Sequence, residues 1–375
     1  MTYDKTGSIA VLTSHTPSLI WFRMDMMREF QKRGYSVYAL GNEAEEKWKE
    51  RFEKENITYR QICVSRNGTN PIRDIEAIVS IYKMLKMIRP DKIFTYQAKT
   101  VIYGCFAARL LGIDEVYALI AGVGSVFLSE DMKTKVLRSI LVVEYRMALK
   151  YTRTVFFQNE DDLQIFKNYR MVTDRQRVVM IPGSGVNTEH FSVMAMPDTF
   201  GFLFIGRLIR DKGIYEYLEA CRIVKQEFPE VRCLLVGPYD SNPSALTKEQ
   251  LQPYIDEGVI EYYGEQEDVR PYIAQCSVFV LPSYREGIPK TVLEAMACGR
   301  AIITTDAPGC KYTVENGITG VIVPIKDKVS LSKAMCGLIS DKRTEAMGTE
   351  GRRKVIAEFD VNIVNKILLK TMGEA

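Results

Sequence analysis

Residues 277–305 constrain this chain more than any other stretch. Ser277–Leu281 is a short apolar run of strand length. Gly287 and Pro289 then mark a tight turn, and Pro289 suits the first helical position, where its missing N–H costs nothing. The helix runs to about Cys298, Gly299 stops it, and Ala301–Thr305 is a second apolar run. Strand, loop, helix, strand is the unit of a parallel sheet. The N–H groups of Ile288, Lys290 and Thr291 then point out of a helix N-terminus at the carboxyl end of a strand, a place that binds anions. Glu286 sits in the loop. Glu294 sits mid-helix between Leu293 and Ala295, where a carboxylate needs a partner. Two ordinary glutamates in a βαβ unit remain one reading. An acid in so apolar a helix points instead to a polar ligand such as a sugar hydroxyl.

The same unit recurs along the chain. Strands are expected at 8–13, 35–40, 58–64, 91–95, 116–120, 154–157 and 178–181, and helices at 18–33, 43–55, 71–88, 99–111 and 134–151. Such alternation means a doubly wound parallel sheet. Pro182-Gly183-Ser184-Gly185 opens a linker that runs to about Pro197. A second set follows, with strands at 201–205, 232–236, 259–262, 277–281, 301–305 and 320–323 and further helices at 214–228, 247–255, 269–276, 329–340 and 342–358. The expected division is a first domain over 1–185, a second over 198–358, and a last helix in 359–375 that crosses back onto the first domain.

The length, 375 residues, suits two domains, and 46% apolar with 26% charged residues is a globular composition. The net charge of +3 is unevenly spread. Residues 1–185 carry 28 Lys and Arg against 21 Asp and Glu, and the remainder 22 against 26. A basic first half can face an anionic surface, or can be scattered solvated lysines. The 134–151 helix sets Lys135, Arg138, Arg146 and Lys150 beside Val136, Leu137, Ile140, Leu141 and Val142. It is either a basic amphipathic helix lying on a membrane or a helix packed on its sheet. The eight cysteines show no C-x-x-C spacing and read as buried thiols in a reducing compartment. Asp4-Lys5 interrupts any signal-peptide pattern, and no apolar run is long enough to span a bilayer. No aromatic and basic interleaving suggests nucleic-acid binding.

Gly206-Arg207-Leu208-Ile209-Arg210-Asp211-Lys212-Gly213 lies at another strand end and opens a helix. Ligands of open α/β sheets bind at this edge. Arg207 and Lys212 would set two fixed cations beside the Pro289 helix terminus, as a diphosphate requires. The run is not a phosphate-binding G-x4-G-K-[ST] loop. Glu286, seven residues and Glu294, with Gly287-Ile288-Pro289 and the Ala295–Gly299 tail, resemble the E-x7-E motif of retaining glycosyltransferases of family 4. Gly206-Arg207 with Lys212-Gly213 resembles that family's G-R-x4-K-G element. Ser14-His15, Trp21-Phe22-Arg23, Gly122-Val123-Gly124 and Gln158-Asn159-Glu160 are similar to a subgroup that builds bacterial surface glycans on lipid carriers.

The resemblance implies a GT-B fold, two Rossmann-like domains facing a cleft, and a hexosyl or N-acetylhexosaminyl transferase that uses a UDP-sugar and needs no cofactor. Arg207, Lys212 and Glu286 would be catalytic. Gly206, Gly287, Ile288, Pro289, Lys290 and Thr291 would bind the donor, and Glu294 would accept its ribose hydroxyls. His15, Gly122, Gly124 and Asn159 would lie on the acceptor side. The implied acceptor is a polyprenyl-diphosphate-linked saccharide, which places the protein peripherally on the cytoplasmic membrane surface. One departure is the Ala121–Gly124 loop, which lacks the histidine many family members carry nearby. His15, one of two histidines, is either structural or functional. No Asp-x-Asp occurs, so no metal is expected at the diphosphate. A nucleotide-sugar epimerase on the same architecture and a catalytically silent nucleotide-sugar-binding module are the alternatives. The intact Arg207, Lys212, Glu286 and Glu294 set weighs against the second.

Overall fold

A computed structural model describes residues 6–65, 68, 70–127, 131–242 and 244–374. The strands are β1 (Gly7–Leu12), β2 (Tyr35–Gly41), β3 (Thr58–Gln61), β4 (Lys92–Tyr96), β5 (Val116–Ile120), β6 (Thr154–Phe157), β7 (Val178–Met180), β8 (Gly201–Ile205), β9 (Arg232–Val236), β10 (Glu261–Tyr262), β11 (Val278–Leu281), β12 (Ala301–Thr305) and β13 (Gly320–Val323). The helices are α1 (Pro17–Lys32), α2 (Glu45–Glu53), α3 (Pro71–Ile88), α4 (Ala98–Leu111), α5 (Met132–Leu149), α6 (Glu160–Asn168), α7 (Ile214–Glu227), α8 (Lys248–Asp256), α9 (Arg270–Ile273), α10 (Lys290–Ala297), α11 (Lys328–Ser340), α12 (Thr344–Lys354) and α13 (Val361–Thr371).

The chain divides into two compact units. One holds the residues up to Ser184 with those from Val364 on, and the other holds Gly185–Ile363. The linker region 186–197 therefore belongs to the second unit, where Arg300 clamps it by donating to the carbonyls of Met194 and Ala195 at 3.2 and 2.7 Å. The last helix leaves the second unit, and its Val364, Leu368 and Leu369 pack in the first-unit core with Phe94, Tyr117 and Phe156.

Each unit is a wholly parallel doubly wound sheet. Strand order is β3-β2-β1-β4-β5-β6-β7 in the first and β10-β9-β8-β11-β12-β13 in the second. Both faces of each sheet are covered, which is why β5, β8 and β12 are buried at every position. The order reverses between β1 and β4 in one sheet and between β8 and β11 in the other. Connections leave those neighbours toward opposite faces and open a crevice at their carboxyl ends.

All thirteen strands lie where the pattern predicts them, although β3 and β10 are shorter. The helices differ in three places. The expected 269–276 helix is the single turn α9. The last long helix breaks into α12 and a π-turn over Val355–Phe359. Helix α6 was not anticipated, although Asn159 followed by three acids is a start signal, and its side chain does cap the helix.

Candidate active site

The second-unit crevice is where the sequence motifs meet. The loop after β8 carries Gly206–Lys212, and the loop after β11 carries Ser283–Pro289 and opens α10. Backbone bonds bind the loops together. Tyr284 N donates to Asp211 O at 2.8 Å, Ser283 Oγ to the same carbonyl at 3.0 Å, and Glu286 N to Pro308 O at 2.9 Å. Gly309 makes the last contact possible. It sits at φ +82°, and a Cβ there would lie 2.3 Å from Glu286 O and 2.4 Å from Gly287 O.

Pro289 is the N-cap of α10 rather than its first helical residue, and its carbonyl accepts from Val292 and Leu293. The N–H groups of Ile288 and Thr291 find no backbone acceptor among the described residues. This end of an eight-residue helix therefore keeps its anion-binding character.

The cations are engaged rather than standing alone. Lys212 Nζ lies 2.5 Å from Glu286 Oε1, and Arg207 Nη1 lies 3.1 Å from Asp240 Oδ2. Glu286 and Asp240 are the more buried partners, with side chains 13% and 10% exposed. Asp240 follows β9, where its second oxygen accepts from Asn242 N at 2.8 Å. Asp240 is not among the residues the sequence singles out, because its spacing from Arg207 follows no local period.

Glu294 is half-buried, and its carboxyl has no hydrogen-bond partner among the described residues. Burial pushes it up to about 7, against the opposing pull of Lys290. A carboxyl held at the edge of ionisation, one turn into a helix that opens on the crevice, is ready to receive hydroxyl donors. Cys310 lies near the Lys212–Glu286 pair, and burial pushes its thiol up to about 12, so it stays protonated and unreactive.

In the first unit, His15, Gly122, Gly124 and Asn159 all follow the carboxyl ends of strands, namely β1, β5 and β6. The His15 ring meets Trp21 edge-on at 5.6 Å. Gly122 and Gly124 have φ of +130° and +73°. Asn159 is buried, and its Oδ1 accepts from Asp162 N at 2.8 Å, so its side chain works as a helix cap. Arg23 is a core residue with its guanidinium over Phe94 and Tyr96, and burial pushes it down to about 10.

The residue that sequence reasoning missed here is Gln97, at the β1/β4 switch point. Its φ of 72° with ψ of 141° is a conformation that glycine normally takes. Its Oε1 accepts from Thr13 Oγ1, Ser14 N and Ser14 Oγ at 3.0, 2.9 and 2.6 Å, which holds the His15 loop. Glutamine carries no local signal for such a backbone.

Among the described residues no cluster of His, Cys, Asp and Glu could hold a metal ion.

Comparison with known proteins agrees with this geometry. Residues 199–341 match the family of glycosyl transferases group 1, and residues 9–159 match the glycosyl transferase 4-like family. The chain is 26% identical to the N,N'-diacetylbacillosaminyl-diphospho-undecaprenol alpha-1,3-N-acetylgalactosaminyltransferase of Campylobacter jejuni, over 96% of this chain and 97% of that one. It is 27% identical to the UDP-Gal:alpha-D-GlcNAc-diphosphoundecaprenol alpha-1,3-galactosyltransferase of Escherichia coli, over 79% of this chain and 78% of that one. Among solved structures, Anabaena HepE in complex with UDP and glucose superposes with a TM-score of 0.79 at 16% identity, covering 98% of this chain and 100% of that one. The sucrose-phosphate synthase of Thermosynechococcus elongatus also superposes at 0.79, with 17% identity, covering 97% of this chain and 98% of that one. This chain belongs to the glycosyltransferases of family 4 and has the GT-B fold.

Proposed function

We propose that the protein moves an N-acetylhexosamine or hexose from a UDP-sugar to a polyprenyl-diphosphate-linked saccharide, with retention at the anomeric carbon. The observation that carries the reading is the gathering of Arg207, Lys212 and the α10 N-terminus at one switch point. The two relatives named above act on undecaprenol-diphosphate-linked sugars, which supports the acceptor class.

The anomeric C–O bond to the diphosphate breaks as the acceptor oxygen bonds to carbon. Negative charge grows on the departing UDP. Lys212, Arg207 and the N–H groups at the start of α10 neutralise it in a preorganised site. Lys212 then exchanges its Glu286 partner for a phosphate oxygen, and Glu286 turns to the donor sugar's hydroxyls. The Glu294 carboxylate takes the ribose hydroxyls. The leaving phosphate can itself receive the acceptor proton, so no separate base is required. The deciding experiment incubates the protein with UDP-sugars and lipid-diphosphate saccharides and weighs the products. Product without acceptor would favour the epimerase alternative.

These charges suffice without a metal. Turnover is expected to persist in EDTA at no less than half its rate. Complete loss that Mg²⁺ or Mn²⁺ restores would overturn the metal-free reading.

The acceptor lies in a bilayer, and no described helix is long and apolar enough to cross one. Helix α5 supplies a docking face of a different kind from the one the sequence suggests. Arg138 is buried and donates to Val126 O and Tyr169 OH, and Arg146 donates to Tyr169 O, so both hold the fold. Val142, Tyr145 and Leu149 pack inward. Met132, Val136, Ile140, Val143 and Met147 form a separate stripe at helical spacing, each more than half exposed. Lys133, Lys135 and Lys150 are exposed along it. An apolar stripe with basic flanks suits an anionic interface.

In this reading the protein works peripherally on the inner membrane face. It is expected to sediment with anionic vesicles at low salt. Replacing Val136 and Ile140 by Asn should reduce that binding at least tenfold with an unchanged melting temperature. Equal binding by this variant would exclude α5 as the anchor.

A further inference from the structure

At the end of α5 the exposed stripe runs into a cavity of about 270 Å³ lined by Arg109, Ile113, Asp114, Lys150, Tyr151, Thr152 and Arg153. It lies at the amino ends of β5 and β6, the sheet edge opposite the one that carries His15, Gly122 and Asn159. No step of sugar transfer uses it.

Three cations and two acids meet there, Asp114 in the lining and Glu115 beside it. Arg153 Nε contacts Glu115, the residue before β5, at 2.9 Å. Arg109 and Lys150 have no carboxylate partner among the described residues. The Arg109 guanidinium instead lies 4.9 Å over the Tyr151 ring, which fixes its plane and leaves its N–H edge for a ligand. Arg109 and Lys150 each sit at a helix C-terminus, and the helix dipole explains why cations gather there. It does not explain an open cavity between them. The lining itself holds the partly exposed Tyr151, and Leu110, next to Arg109 on α4, and Met147, one turn before Lys150 on α5, are more than half exposed. A cavity this small is below the size that holds drug-like ligands. It suits a single phosphate ester.

We propose that this cavity binds the phosphate headgroup of an anionic phospholipid. The inference rests on the membrane reading of α5, and it adds a second attachment point at the far end of that helix. Eighteen residues of α5 span about 27 Å. One end follows the glycine loop beyond β5 and the other ends at the cavity. A stripe alone lets the protein roll about the helix axis. A headgroup held by Arg109, Lys150 and Arg153 stops that rolling and fixes which loops face the bilayer.

The test compares two charge-matched double variants of the full chain, R109Q/K150Q in the cavity and K133Q/K135Q at the other end of α5. Binding to phosphatidylcholine vesicles with 30% phosphatidylglycerol is followed at constant ionic strength, with and without 20 mM glycerol 1-phosphate. Glycerol phosphate is expected to weaken binding of wild type and K133Q/K135Q about tenfold more than chloride does, and to leave R109Q/K150Q unmoved. V136N/I140N should lose vesicle binding and still bind glycerol phosphate by calorimetry. If glycerol phosphate acts no more strongly than chloride, or if the two double variants respond alike, the cavity is not a headgroup site although α5 still docks. If wild type ignores every vesicle, the membrane reading itself fails. In that case any phosphate held by Arg109 is a soluble ester, and the lipid assignment falls with it.

Discussion

Replacing Lys212 by Ala is expected to lower kcat by about 10²–10³ with the fold intact, and Arg207→Ala by a similar factor. The reason is twofold. In the proposed reaction each cation meets charge that grows only as the UDP leaves, so its loss falls on kcat more than on KM. Each also neutralises a carboxylate in the resting site. Without Lys212, Glu286 faces the incoming diphosphate with its charge uncompensated, and Asp240 does the same without Arg207. The double variant K212A/E286Q removes that repulsion and should recover donor affinity but not kcat. This split separates catalysis from ground-state electrostatics. A modest loss of stability accompanies each single change, because the partner left behind is the more buried one of the pair. Turnover near wild type in both Lys212→Ala and Arg207→Ala would remove these residues from the leaving-group site.

Donor binding is expected to release a proton at Glu294 and to weaken steeply below neutral pH. Burial raises this carboxyl from the ordinary value of 4.5 to about 7. In the proposed site ribose hydroxyls donate to the ionised form. UDP-sugar affinity should therefore be flat above pH 7 and fall about tenfold per unit below it, provided protonated Glu294 binds poorly. The empty protein shows the opposite trend. Because the folded-state value lies above the unfolded one, the acid form stabilises the fold. That contribution is complete below about 4.5 and is lost as pH rises through 7, a change of roughly 3 kcal/mol.

Glu294→Gln should thus melt higher than wild type at pH 8, by a margin that shrinks steadily toward pH 5. Its donor affinity should be roughly 10–100-fold lower at pH 8 and independent of pH. Thermal melts and titration calorimetry at pH 5, 6, 7 and 8 give both readouts. A donor affinity that stays constant across this range in wild type would show that Glu294 does not meet the ribose.

Much of the architecture was legible because its signals are local. Apolar runs of strand length, glycines at helix ends and the punctuation at Pro182–Gly185 place thirteen strands and both units. The E-x7-E and G-R-x4-K-G segments fall on strand ends, and in a doubly wound sheet strand ends share one edge. Sequence order together with that rule brings Arg207, Lys212, Glu286 and Glu294 to one crevice.

What the sequence by itself determined, then, was the pair of sheets, the motif-bearing loops and the chemistry those residue types allow. Only the tertiary structure decided who pairs with whom. Asp240 meets Arg207 across 33 residues and Glu286 meets Lys212 across 74, distances over which no periodicity operates. Gln97 holds Ser14 across 83 residues while its backbone takes a conformation that its side chain does not advertise. Helix α5 shows the reason most plainly. Its apolar residues occupy two faces, and the local pattern reads the same whichever one turns inward. Tyr145, Val142 and the stem of Arg138 face inward because packing against α4, with Tyr145 edge-on to Phe166 of α6, buries that face. The stripe from Met132 to Met147 is left outside because no other part of the unit covers it.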